Sequence, residues 1–84
     1  MAVTLLYFAR FREKLGITEE SLDAPTPTTV ADITAMLTAR GGQWEELFSC
    51  GTGLMVAINE QMASLTDPVE ESDTVAFFPP VTGG

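Results

Sequence analysis

The sequence has no histidine, one cysteine and only four lysine or arginine residues among 84. Each shortage closes off a class of chemistry. Without histidine the chain cannot build a Ser-His-Asp triad or a histidine-ligated zinc site. A lone Cys50 cannot close an internal disulfide, so nothing points to an oxidising compartment. Four cations against twelve carboxylates leave a formal charge of -8, which repels nucleic-acid phosphates and argues against nonspecific DNA or RNA binding. Long apolar runs are missing as well. The stretch from Ala2 to Ala9 falls far short of the roughly 18 residues that suggest a membrane span. Arg10, Arg12 and Lys14 follow it, whereas a signal peptide carries its positive charge first. The sequence therefore predicts a cytoplasmic protein with neither a membrane nor a nucleic acid as partner.

What remains is enough for one small domain. A chain of this length can enclose a single core, but not a second folded unit. A hydrophobic content of 45% opposes disorder despite the charge. Val3–Phe8 is rich in strand formers, with Val3, Leu5 and Tyr7 on one face and Thr4, Leu6 and Phe8 on the other. Thr4 marks the second face as the one nearer solvent. A charged turn is predicted through residues 10–14 and Gly16, then an edge strand from Thr18 to Asp23 that makes a hairpin with the first. Pro25 and Pro27 make residues 24–27 a connector. Thr29 reads as a helix N-cap, with Asp32 completing a capping-box-like arrangement. Val30, Ile33 and Leu37, with Met36 beside them, give the helix one buried face. Arg40 suits its negative end, and Gly41-Gly42 stops it.

Further on, Trp44, Leu47 and Phe48 suggest a short helix from Gln43 to Ser49, and Gly51–Gly53 a turn. The apolar run Leu54–Ile58 predicts a strand covered on both faces. Asn59-Glu60-Gln61 turns the chain into a short strand near Met62–Leu65. Asp67–Asp73 reads as a polar loop, Thr74–Phe78 as the last strand, and Pro79-Pro80 as its end. A hairpin, a helix across one sheet face and then further strands describe an α+β roll.

The chain end carries the clearest functional signal. After Pro80 come Val81, Thr82, Gly83 and Gly84, a segment the core does not need. Residues 1–80 are predicted as the domain and 81–84 as an extended tail. Four residues reach at most about 14 Å, and the last two have no side chains. The result is a narrow probe ending in a carboxylate, ionised at neutral pH given a reference pKa of about 3.3–3.7. Such a group can attack the α-phosphate of a nucleotide to give an acyl-adenylate, provided another enzyme's site admits the tail. Gly-Gly passes a tight channel without steric clash.

The segment Asp73–Gly84, ending Phe77-Phe78-Pro79-Pro80-Val81-Thr82-Gly83-Gly84, resembles the C-terminal signature of the small, sulfur-carrying subunits of molybdopterin synthase. Leu6-Tyr7-Phe8-Ala9 with Arg12-Glu13 is similar to that family's first strand and turn, and Val56-Ala57-Ile58-Asn59 to its central strand. The resemblance implies a ubiquitin-like β-grasp fold, a mixed sheet packed against one main helix. It also implies a cycle. A ubiquitin-activating-like enzyme would adenylate Gly84 with ATP, Gly83 providing clearance. A sulfur donor enzyme would convert the adenylate to a thiocarboxylate. The tail would then enter the large synthase subunit, within a heterotetramer, and deliver sulfur to cyclic pyranopterin monophosphate. No cofactor would be held permanently, and this chain would bring no catalytic constellation of its own. By the same resemblance Phe8, Met62 and Phe78 would form the docking surface, with Pro79, Pro80, Val81 and Thr82 leading into the partner. One departure concerns Glu71-Ser72-Asp73, where the family often has glycine between acidic residues; it touches turn geometry, not function.

Other side chains carry weaker signals. Cys50 has no Cys, His, Lys or Arg close in sequence to activate a thiolate, so a packing role is preferred to sulfur relay. The pairs Glu19-Glu20, Glu45-Glu46 and Glu70-Glu71 read as solvated charge, since adjacent strand residues point to opposite faces. That acidity suits a basic groove on a partner. Two alternatives stand beside the synthase reading: a related carrier feeding thiamine, cysteine or tRNA thiolation, and a noncovalent ubiquitin-like module with an inert tail.

Overall fold

The alternation in the first six described residues settles how the sheet is built. In a computed structural model, which describes residues 2–25, 27–48 and 54–79, strand β1 (Ala2–Tyr7) buries Val3, Leu5 and Tyr7 and leaves Thr4 and Leu6 half-exposed. Strand β2 (Glu19–Asp23) pairs antiparallel with it, Leu5 opposite Glu20 and Val3 opposite Leu22. On the other side of β1 lies the last strand, β7 (Thr74–Phe78), and this pairing is parallel, Tyr7 opposite Phe77. β4 (Met55–Ile58) and β5 (Gln61–Ala63) complete a five-stranded sheet in the order β2-β1-β7-β4-β5.

Helix α2 (Val30–Thr38) crosses one face of this sheet. Its Val30, Ile33 and Leu37 are completely buried, in one cluster with Leu5, Tyr7, Val75 and Phe77. Its first three backbone donors are all satisfied. Val30 N–H donates to the Asp67 carbonyl at 3.1 Å and Ala31 N–H to the Leu65 carbonyl at 2.8 Å. Asp32 N–H donates to Thr29 Oγ1 at 3.2 Å, and the Asp32 carboxylate accepts from Thr29 N–H. The capping box predicted from sequence is therefore present. A mixed sheet gripping one main helix is the β-grasp arrangement, in agreement with the predicted class.

Several local expectations need correction. Arg10–Leu15 is a helix, α1, not a turn. Phe11 and Leu15 fall four apart on one side, and Phe11 stacks on Phe48 at 5.3 Å between ring centroids. Six residues cannot hold a helix unaided, so tertiary packing decides here. α2 ends at Thr38 with Ala39 as its C-cap, short of the glycine pair expected to stop it; Gly41, at φ +77, follows the turn, and Gly42 opens the next helix, α3 (Gly42–Phe48). Two further strands were not predicted, one just after the connector at the residue read as the helix N-cap and one inside the polar loop. β3 (Thr28–Thr29) pairs with β6 (Pro68–Val69), and Thr28 and Val69 are both buried. Two residues each are too few to show alternation. β5 begins at Gln61, because Asn59 and Glu60 alone form the turn, both at positive φ. β4 has only one covered face: the described helices lie on the side of Val56, while Ala57 is small enough to be screened by its neighbours. The predicted turn at Gly51–Gly53 lies outside the described residues.

Arg40 and Glu20 also differ from expectation. Glu20 is not simply solvated. It accepts two hydrogen bonds from Arg40, at 2.8 and 2.9 Å, and one from the Tyr7 hydroxyl at 2.7 Å. The Arg40 guanidinium lies 4.3 Å from the Trp44 ring centroid. A bidentate contact and an aromatic platform hold this group better than a helix end would. The hydrogen bonds from Arg40 hold the Glu20 carboxyl below its ordinary range, burial opposing them and the Tyr7 bond assisting. Burial, above all, pushes the Tyr7 phenol upward.

Two outcomes are expected. Ser72 sits at φ +71, a conformation that favours glycine, so the serine at Glu71-Ser72-Asp73 is held in strained backbone. Ser72→Gly is expected to stabilise the fold by about 0.5–1 kcal/mol, the relief of left-handed strain less the added chain entropy of glycine. That corresponds to a rise in Tm of roughly 2–8 °C for a domain of this size; calorimetry showing no rise would remove strain from this turn. The second concerns pH. A carboxyl whose pKa is depressed on folding adds stability above its unfolded value, about 4.3, and loses it as pH falls through the folded value. Glu20→Gln is expected to lower Tm at neutral pH and to flatten its fall in acid. Parallel melting curves across pH would contradict the pairing.

Candidate functional site

The parallel pairing of β1 and β7 brings the end of the first strand to the end of the last. Phe8 N–H donates to the Phe77 carbonyl at 3.2 Å. One position on, the Phe8 and Phe78 rings stack, with centroids 5.0 Å apart and planes 9° from parallel. Both rings point away from α2, since Tyr7 and Phe77, their neighbours in sequence, point into the core. Phe8 is 38% exposed, high for an aromatic group. Ala9, at φ 52 and ψ -124, turns the chain sharply into α1. α1 then packs toward Phe48, so it leaves Phe8 uncovered.

Register extends this face across the sheet. Leu6 pairs with Ala76, Ala76 with Ala57, and Ala57 with Met62. Directly paired residues share a face, so these four form one row. Phe78 pairs in the same way with Met55, which is half-buried. A shallow groove of about 390 Å³ runs along Leu6, Phe8, Ala57, Ala76 and Phe78, and ends at Asn59, Glu60 and Thr74. Its polar end is fixed: Asn59 Oδ1 accepts from Thr74 N–H at 3.0 Å and Asn59 Nδ2 donates to Asp73 at 2.9 Å.

The three residues named for docking are therefore on one face, but not equally close. Phe8 and Phe78 touch. Met62, 63% exposed, lies three strands from Phe8, or about 15 Å at a spacing near 4.8 Å. The face is thus an aromatic pair at one end and a methionine at the opposite edge, bridged by Ala76 and Ala57. Sequence reasoning missed Met55, Ala57 and Ala76. Only the register shows that Ala57 and Ala76 bridge Leu6 to Met62 and that Met55 sits opposite Phe78. Pro79 is half-buried at the point where the chain leaves the sheet. Pro80, Val81, Thr82, Gly83, Gly84 and Cys50 lie outside the described residues. Among the described residues no group of carboxylates or thiols could hold a metal ion, and no helix is long and apolar enough to cross a membrane.

Such a face can hold an apolar surface of another protein. Comparisons with known proteins identify the family. The ThiS family matches residues 5–84. The molybdopterin synthase sulfur carrier subunit of Haemophilus influenzae is 37% identical over 82 residues, and that of Escherichia coli 35%. Each alignment covers 98% of this chain and 99% of the relative. The crystal structure of SAMP1 from Haloferax volcanii superposes with a TM-score of 0.81 at 25% identity, over the full length of both chains. With four-fifths of its length or more matched by the family and full-length relatives of one kind, this chain belongs to the ThiS family of ubiquitin-like proteins, beside the molybdopterin synthase sulfur carrier subunits.

Proposed function

We propose that this chain is the sulfur carrier of a molybdopterin synthase. The Phe8–Phe78 stack beside the root of the Val81-Thr82-Gly83-Gly84 end carries the reading: it joins an apolar docking face to the segment that bears the chemistry. The Gly84 carboxylate attacks the α-phosphate of ATP in an activating enzyme, releasing pyrophosphate. A sulfur donor displaces AMP and leaves a C-terminal thiocarboxylate. The open sheet face then seats on the large synthase subunit through Phe8, Met62 and Phe78. Pro79 and Pro80 direct the tail inward, and Val81 and Thr82 line its passage. Held there, the sulfur has a high effective concentration against cyclic pyranopterin monophosphate. Catalytic acid-base groups belong to the partner, and ATP is consumed by the activating enzyme.

The SAMP1 likeness keeps a related carrier in view, one serving a different thiolation. Both readings share the thiocarboxylate; only the first needs the large synthase subunit.

Mass spectrometry separates these from an inert tail. Incubation with ATP, a competent activating enzyme and a sulfur donor is expected to raise the mass by the difference between sulfur and oxygen. Deleting Gly84 is expected to abolish that gain with little change in Tm. An unchanged mass for the intact chain would sink both carrier readings. Docking is tested by Phe78→Asp, which places a charge on the apolar face beside Phe8. Calorimetry is expected to show at least a tenfold loss of affinity for the large subunit, or about 1.4 kcal/mol. Undiminished affinity would take Phe78 out of the interface.

A further inference from the structure

The five-stranded sheet has two outer strands, and they are guarded unequally. An outer strand offers unpaired N–H and C=O groups to any other chain, and charge on the strand discourages such pairing. β2 carries Glu19, Glu20 and Asp23, with the Arg40 guanidinium bound to Glu20. β5 reads Gln61-Met62-Ala63 and carries no charge. Met62, its central residue, is 63% exposed.

Register identifies the backbone groups that β5 leaves open. Asn59 and Glu60 form a two-residue turn, so the closing pair Ile58–Gln61 exchanges both hydrogen bonds and the pattern then alternates. Val56–Ala63 is bonded again, and Ala57–Met62 between them is not. A separate bond fixes the same phase. Asn59 N–H donates to the Thr74 carbonyl, so Ala57, two residues earlier, also directs its backbone groups toward β7 and away from Met62. The N–H and C=O of Met62 therefore point out of the sheet edge. Ser64 is the next outward residue, and both of its groups are taken. Ser64 N–H donates to the Asp67 carboxylate at 2.8 Å, and the Ser64 carbonyl accepts from Asp67 N–H at 3.1 Å. Among the described residues, Asp67 thus closes one position of this edge and Met62 stays open. A shallow recess of about 430 Å³ lies beside it, lined by Ile58, Gln61, Met62, Ala63, Asp67 and Pro68.

We propose that the β5 edge takes one extended segment of the large synthase subunit as a sixth strand, through paired hydrogen bonds at Met62. The Met62 N–H donates to a carbonyl of that segment, and the Met62 carbonyl accepts from one of its N–H groups. The inference rests on the carrier reading above. Continuity assigns the occupant. Met62 belongs both to this edge and to the open row Leu6, Ala76, Ala57, Met62 on which the large subunit seats in that reading. Backbone pairing asks for no particular side chain on the partner, only an extended stretch without proline at the bonded position. The shortness of β5 restricts that stretch to one register. A second copy of this chain fits the edge poorly. Two β5 edges paired about Met62 would set Glu60 of each opposite Ser64 of the other, where Asp67 is bound, between chains that each carry a charge of -8.

The test follows the Met62 amide of the full chain by hydrogen exchange, read by nuclear magnetic resonance, alone and with the purified large subunit. Alone, Met62 is expected to exchange fast, while Gln61 and Ala63, bonded to β4, are protected. In the complex the Met62 amide is expected to slow by about tenfold or more. Two variants separate backbone from side chain, each checked for an unchanged thermal melt. Met62→Pro removes the donor at an edge position, where proline is tolerated, and Met62→Ala removes only the side chain. The proline variant is expected to bind the large subunit about tenfold more weakly than the alanine variant, the cost of leaving one interface carbonyl unpaired. A chemically synthesised chain with the Met62 nitrogen methylated deletes only the donor, and the same loss is expected should proline disturb β5. A Met62 amide that stays fast in the complex would overturn the proposal. So would a slowed amide with no loss of affinity on methylation, since the partner would then cover the edge without bonding to it. Protection that grows with concentration in the chain alone would assign the edge to a second copy instead. Phe78→Asp in parallel keeps the two readings apart: if it weakens binding while Met62 stays open, the docking face stands and the sixth strand falls. If the unaltered chain does not bind the large subunit at all, both fall.

Discussion

The parallel pairing of β1 with β7 is the constraint on which the rest depends. It joins the two ends of the chain, so the sheet cannot close until nearly all of the sequence is available, a slow kind of contact to form. In return one strand performs three tasks. Val75 and Phe77 enter the core against α2, Ala76 and Phe78 furnish the open face, and the chain leaves the sheet directly after them. A one-residue slip in this pairing would exchange the two faces. Phe77 would turn outward and Phe78 would be forced into the core. The fully buried Phe77, packed against Tyr7 at 6.0 Å and Phe48 at 5.2 Å, fixes the register and so keeps Phe78 outside.

Much of this was legible in the sequence, and the reason is periodicity. β1 alternates cleanly, α2 carries a capping box and a buried stripe, and β7 is bounded by acidic residues and prolines. The parts that escaped reading depend on partners far away in sequence. α1 has an apolar edge of only two residues and relies on Phe48. β3 and β6 are two residues each and rely on one another. Glu20 looked like one half of a solvated acidic pair, because nothing nearby in sequence announces Tyr7 and Arg40. For the candidate site the division is similar. The exposed aromatic positions followed from alternation, whereas Met55, Ala57 and Ala76 required the register between β7, β4 and β5.

Under the proposed function the chain's shortages have a physical sense. A carrier that lent its terminal carboxylate to other enzymes would need no histidine or paired cysteines, only a rigid platform beside its chain end. The Phe8–Phe78 stack lies at the end of β7, and Asn59 secures the opposite end of the groove by bonding to Thr74 and Asp73.

The most direct test of the central claim follows the sulfur itself. The chain is charged with radiosulfur at its C-terminal thiocarboxylate and mixed with the large synthase subunit and cyclic pyranopterin monophosphate. The expected result is label in the pterin product and a carboxylate regenerated at Gly84. Label that stays on the chain, with the large subunit bound and competent, would contradict the account.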